Sequence, residues 1–152
     1  MPDMIIAPMT ENDLGSVLKI EQASFRNPWS RISFLNELAG KYSHNFVLKL
    51  ENSCETYQII AYVCFRLIID ELHLLKIAVN PVQRHRGHAV NFLNECMKIL
   101  GPQRINSAFL EVRQHNAAAI GLYKKAGFYI ETQIPDYYSD TREDAILMRK
   151  TF

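Results

Sequence analysis

Three features of this chain have residue types and spacing that could do chemistry. The first is the turn Arg84-His85-Arg86-Gly87-His88-Ala89, between an apolar run ending at Val79 and a helical pattern beginning near Ala89. The first turn of a helix exposes unpaired N–H groups and the positive end of its dipole, so such a turn can hold a phosphate. Gly87 lets the backbone approach an anion with no Cβ in the way, Ala89 keeps the next turn small, and Arg84 and Arg86 add charge. Alone, the pattern names no ligand, because R-x-x-G-x-A/G arises by chance in roughly one chain of this length in ten. A solvated basic turn fits it too. The glycine patterns of a P-loop or a dinucleotide fold are not present.

The second feature is Glu111 in the apolar strand Phe109-Leu110-Glu111-Val112, where a charge is costly unless paired or useful. Alternation puts it on one face with Phe109 and Arg113, which leaves two readings: a structural Glu111–Arg113 pair, or a general base in a cleft. The third is Tyr123, three residues after Ile120 on a helical apolar face, either a core tyrosine or a phenol offered to a cleft. Asn116 is most simply the cap of that helix.

The elements that must position these groups can be traced along the chain. Residues 4–9 are an apolar entry strand. Thr10 and Asp13 form a capping pair before a helix marked by Leu14, Val17 and Leu18, and residues 25–28 break it. Ser30 caps a second helix through Phe34, Leu35 and Leu38, with Gly40 as its stop. Strands are expected at 46–50, 58–69 and 72–79, the last two joined by a turn at Asp70 and Glu71. Residues 41–57 otherwise carry no usable motif. Asn80 and Pro81 end the third strand. Ala89, Leu93, Cys96, Met97 and Leu100 mark one face of a helix closed by Gly101 and Pro102. A short strand at 108–112, a helix from Asn116 to Gly127, and strands at 128–134 and 145–148 complete the pattern. That order predicts an α/β (α+β) fold, a mixed sheet flanked by helices, in one domain spanning residues 1–152.

Composition bounds the function. The chain has 152 residues, 48% apolar and 22% charged, ordinary values for a globular domain. Lys and Arg (17) against Asp and Glu (16) give a net charge of +1, which argues against a nucleic-acid binder of the usual basic kind. No apolar run approaches the ~20 residues of a membrane span, and no basic stretch precedes an apolar one near the start, so neither a membrane nor a secretory role is expected. Cys54, Cys64 and Cys96 lack paired spacing, and Cys64 and Cys96 read as buried thiols. His44, His73, His85, His88 and His115 lack zinc spacing, so no metal is expected. A cytoplasmic location follows from these readings.

Together the features are more specific than any one of them. An anion-binding turn, then a strand carrying a carboxylate, then a helix offering a phenol suits acyl transfer from a phosphate-tailed thioester. Glu21…Phe25…Pro28-Trp29-Ser30, Ile77-Ala78-Val79, the turn at 84–89 and Leu110-Glu111-Val112-Arg113 resemble the GNAT superfamily of N-acetyltransferases. So do Asn116-Ala117-Ala118-Ala119-Ile120, Leu122-Tyr123, Gly127-Phe128, Tyr137-Tyr138 and Glu143-Asp144-Ala145. Within it the chain is similar to the bacterial ribosomal-protein-alanine N-acetyltransferases (RimI type). Ala89 stands where glycine is commoner, and His88 and Val90 where the turn usually runs less encumbered.

The resemblance implies a mostly antiparallel sheet in which two adjacent parallel strands splay to hold acetyl-CoA. Backbone groups of Ile77, Ala78 and Val79 would take the pantetheine arm, and the amides of Arg84, His85, Arg86, Gly87, His88 and Ala89 the pyrophosphate. Asn116 and Tyr123 would reach the cofactor from the far side. Glu111 would accept a proton, Tyr123 would donate one, and Trp29, Tyr137 and Tyr138 would border the acceptor peptide. The implied reaction is acetylation of the N-terminal alanine of a small-subunit ribosomal protein. Broader N-termini, lysine, aminoacyl-tRNA, or a non-catalytic CoA-binding module are the alternatives. A free α-amine, with pKa ~7.7–8, costs under ~1.5 kcal/mol to deprotonate at neutral pH, whereas lysine costs roughly 4–5. One carboxylate is adequate for the first task and strained by the second. Asp136, Asp140, Glu143 and Asp144 suggest a basic peptide by charge complementarity, or a solvated acidic loop.

Overall fold

The apolar patterns are realised as strands and helices in a computed structural model that describes residues 3–52 and 54–152. β1 (Met4–Pro8) leads to α1 (Leu14–Ser24), where the Asp13 carboxylate accepts the Thr10 backbone N–H at 2.8 Å. α2 (Arg31–Leu38) is capped by Ser30, whose hydroxyl accepts the Ser33 N–H at 3.2 Å. β2 (Ser43–Glu51), β3 (Tyr57–Ile68) and β4 (Glu71–Val79) follow as an antiparallel meander. α3 (His88–Leu100) crosses to β5 (Ser107–Arg113), and α4 (Ala117–Lys125) leads to β6 (Tyr129–Ile134). β7 (Ala145–Thr151) then inserts between β5 and β6, giving the sheet order β1-β2-β3-β4-β5-β7-β6. Among the described residues only β4 and β5 pair in parallel, as a strand–helix–strand crossover requires.

Some boundaries depart from the expectations. β2 starts at Ser43, so part of the stretch that carried no motif is strand, its polar residues sitting at the ends of the ladder. The β3–β4 turn lies at Ile69 and Asp70, with Ile69 at φ 59°, one residue before the acidic pair that suggested it. Gly101 keeps right-handed backbone and α3 tightens into a 3-10 turn, leaving Arg104 at φ 57° as the left-handed residue.

The sheet separates two cores. α1 and α2 bury Leu14, Val17, Ile20 and Phe34 against Val47, Tyr62, Cys64 and Ala78. On the other face α3 buries Phe92, Leu93, Cys96, Met97 and Leu100 against Leu72, Leu74, Ala108, Leu110 and Met148. Each large side chain so buried contributes about 1.5–3 kcal/mol. Among the described residues no helix is long and apolar enough to cross a membrane.

One irregularity positions the site. In the β3–β4 ladder Cys64 faces Lys76 but Phe65 faces Leu74, so Leu75 is an extra, bulged residue. The bulge advances the alternation by one. Leu72 and Leu74 before it, and Ile77 and Val79 after it, all face the α3 core, while Lys76 and Ala78 turn toward α1. A bulged strand also bends and twists more strongly. Leu75 lies two residues after His73, the last β4 residue that pairs with β5.

Candidate active site

The parallel register of β4 and β5 comprises Glu71↔Ser107, Leu72↔Ala108 and His73↔Phe109 and then stops. Residues 74–79 and 110–113 diverge, opening a gap in the middle of the sheet. The Asn80 N–H donates to the Ile60 carbonyl at 2.7 Å, a hydrogen-bonded pair of the antiparallel ladder. Alternation makes Tyr62 and Ala78 the next such pair, so the Ala78 N–H and C=O turn toward β3 and those of Ile77 and Val79 toward the gap. The Val79 carbonyl accepts from Arg84 Nε at 3.0 Å. Of Ile77, Ala78 and Val79, the backbone of Ile77 and the Val79 N–H are therefore the groups that face the gap.

Past β4, a 3-10 turn at Pro81–Gln83 leads to His85 at φ 63° and Gly87 at φ 79°, and α3 starts at His88. A Cβ on Gly87 would meet nothing within 4 Å, so the left-handed backbone, and not crowding, calls for glycine here. The Arg84 guanidinium also donates to Ser24 Oγ at 2.8 Å, and Arg86 donates to the Gln83 side chain at 3.2 Å. Both side chains are therefore engaged within the protein. What the turn offers an anion is chiefly its exposed backbone at residues 85–87 and the free N–H groups of α3, with Ala89 in the first helical turn.

β5 carries Glu111 toward the α1 side. The expected pair with Arg113 does not form: Glu111 meets another side chain. Its Oε2 lies 2.7 Å from Nε2 of His73, whose ring stacks on Phe109 with centroids 4.3 Å apart. Arg113 instead holds the β6–β7 loop through Asp140, Thr141 and Glu143 and lies under the Tyr138 ring at 4.1 Å. The acidic cluster in that loop is largely satisfied internally. His115 donates its backbone N–H to Glu143, and Gln133 and the Asp136 N–H bind Asp144, holding both carboxyls below their usual range.

Tyr123 packs on the α3 side of the sheet, edge-on to Phe128, and Asn116 caps α4 by accepting the Ala119 N–H at 3.1 Å. Burial raises the Tyr123 pKa above the ordinary phenol value, and nearby Tyr138 raises it further. Tyr138 is pushed up to about 12, first by burial, with Arg113 opposing and Tyr137 and Glu111 adding. Tyr138 is thus within electrostatic reach of both Glu111 and Tyr123, and Tyr137, half exposed, is within reach of Glu111. Trp29 stands differently: its ring packs edge-on against Phe34 and its backbone N–H donates to Glu21 at 2.7 Å, in the α1–α2 core.

That core contains a group that sequence reasoning missed. Glu21 is fully buried and binds the Lys76 ammonium, the Tyr62 hydroxyl and the Trp29 N–H. The ammonium also lies 4.3 Å from the centres of the Phe25 and Trp29 rings. Burial pushes the Lys76 pKa down, and Glu21 opposes it. The signal was available, since Glu21 follows Leu14 and Val17 on the helical stripe and Lys76 interrupts an apolar strand. His73, flanked by Leu72 and Leu74, was legible in the same way. Among the described residues no group of three His, Cys, Asp or Glu side chains is placed to hold a metal ion.

The chain matches the model of the Acetyltransferase (GNAT) family over residues 14–128. It is 33% identical over 145 residues to the [Ribosomal protein bS18]-alanine N-acetyltransferase of Escherichia coli strain K12, covering 94% of each chain. It is 32% identical over 147 residues to the enzyme of the same description from Haemophilus ducreyi, covering 95% of this chain and 97% of that one. The crystal structure of the ribosomal-protein-S18-alanine N-acetyltransferase from Escherichia coli superposes with a TM-score of 0.84 at 32% identity, over 98% of this chain and 94% of that one.

Proposed function

The chain belongs to the GNAT family of acetyltransferases, acetyl-CoA-dependent enzymes, and we propose that it acetylates the N-terminal alanine of a small-subunit ribosomal protein of the bS18 kind. The observation that most supports this is the placement of Glu111: one carboxylate, held by a neighbouring imidazole, where β5 parts from β4. Two relatives of that specificity match almost end to end.

Acetyl-CoA supplies the activated acetyl group. Ile77 and the Val79 N–H are suited to bind its amide arm, and the backbone of residues 84–89 to bind its phosphates, with Asn116 beside them. Glu111 takes the proton of the acceptor ammonium, directly or through a water, at its Oε1. Tyr123 donates to the departing sulfur. Its raised pKa keeps the phenol protonated throughout the working range, so a hydrogen bond is always available for the developing thiolate. A thiol is a stronger acid than a phenol, with pKa ~8.5 against ~10, so the proton passes only as the site stabilises it. Tyr137 and Tyr138, on the loop held by Arg113, border the acceptor, and Trp29 shapes the opposite wall from within its core. The acceptor is an α-amine because a single carboxylate can deprotonate it at neutral pH. The proposed setting is the cytoplasm, where such proteins are made.

Incubation with acetyl-CoA and a purified small-subunit ribosomal protein beginning with alanine, followed by mass-spectrometric mapping, tests this reading. Acetyl on the α-amine is expected. Acetyl confined to lysine side chains would overturn it.

A further inference from the structure

His73 is the last β4 residue in register with β5, and its side chain reaches along the neighbouring strand to Glu111, two residues beyond its partner Phe109. Stacking on Phe109, 10° from parallel, fixes the plane of the imidazole. The cross-strand neighbour on β3, Arg66, is taken by Glu37 at 2.6 Å, so that cation is satisfied without Glu111. Glu111 accepts on Oε2, and no described residue donates to Oε1.

We propose that His73 is a positioning residue for Glu111: its Nε2–H holds Oε2 and leaves Oε1 presented to the acceptor amine. This rests on the reading of Glu111 as the base. A base must stand within hydrogen-bond reach of the proton it removes, and a misplacement on the order of 1 Å costs about 100-fold in rate. Carboxylate oxygens at the end of three free torsions cannot hold one position by themselves. The imidazole, fixed by strand register and by stacking, supplies the constraint. The two oxygens thus divide the work, one anchored and one reactive.

The test is steady-state kinetics with an alanine-terminated peptide and acetyl-CoA. His73→Ala is expected to lower kcat by about 10- to 100-fold with the KM for acetyl-CoA unchanged. His73→Gln places an amide N–H near the position of Nε2 and should keep kcat within about threefold. His73→Asn, polar but too short to reach, should be as slow as the alanine variant, so the Gln–Asn contrast stands even where alanine destabilises the fold. Added to Glu111→Gln, His73→Ala should cost almost nothing more, since both act through one group. Wild-type kcat in His73→Ala and His73→Asn, or an undiminished loss in the Glu111→Gln background, would overturn the proposal. A fully active Glu111→Gln would remove the base itself. A slow Glu111→Gln beside a fast His73→Ala would remove only the role of His73.

Discussion

Arg113 donates to both carboxylate oxygens of Asp140, at 3.1 and 2.9 Å, and so ties β5 to the loop between β6 and β7. Asp140 also accepts from Asn27 at 3.1 Å, which joins that loop to the α1–α2 loop. The two walls proposed for the acceptor channel therefore share one carboxylate, and Tyr138 rests on the same guanidinium.

Removing that cation should loosen the acceptor wall while sparing the chemistry. Arg113→Ala is expected to raise the KM for peptide about tenfold, the cost of ordering one or two side chains on binding, with the KM for acetyl-CoA unchanged. Initial-rate measurements with each substrate varied check this. A loss confined to kcat would contradict it.

Tyr123→Phe keeps the packing against Phe128 and removes the hydroxyl. If that hydroxyl serves the departing sulfur, kcat should fall by about 100-fold or more, with acetyl-CoA affinity preserved by calorimetry. Unchanged turnover would place Tyr123 in the core alone.

Glu21 and Lys76 depend on each other. Lys76→Met would strand a fully buried carboxylate and is expected to cost about 3–5 kcal/mol, measured by denaturant unfolding. Pairing it with Glu21→Gln should recover most of that loss, because the uncompensated charge is gone while the Tyr62 and Trp29 hydrogen bonds can persist. Additive losses in the double variant would contradict the assignment.

Burial raises the pKa of Tyr62, Tyr123 and Tyr138, the last to about 12. A group whose folded pKa is raised contributes stability below its unfolded value and loses it as pH climbs through the folded one. The unfolding midpoint should therefore drop above about pH 10, where exposed tyrosines ionise. In the folded chain at about pH 11, tyrosinate absorbance should report fewer than the seven tyrosines, the remainder appearing on unfolding. Complete titration of the folded protein there would contradict it.

The order of elements was legible because each was marked locally: caps at Ser30 and Asn116, the apolar stripe of α3, the break at Asn80 and Pro81. What escaped depends on tertiary register. Whether Glu111 meets Arg113 or His73 is set by where β4 pairs with β5, and no property of β5 alone encodes that. The bulge at Leu75 likewise decides which of residues 77–79 aim backbone groups at the gap, and nothing in Leu74-Leu75-Lys76 signals an extra residue. The left-handed position after α3 fell on Arg104 because Gly101, though permissive, was used as ordinary helix. That the loop of Trp29 is tied to a buried Glu21–Lys76 pair was not legible, because that pair joins residues 55 positions apart.

As an enzyme of α-amines, the chain should distinguish an N-terminal amine from a lysine side chain. That distinction is tested most directly by initial rates of acetyl transfer to two short basic peptides, one with a free N-terminal alanine and no lysine, the other with a blocked N-terminus and one internal lysine. Rapid acetylation of the first and none of the second is predicted. Transfer to the lysine peptide alone would contradict the account while leaving the fold and the family intact.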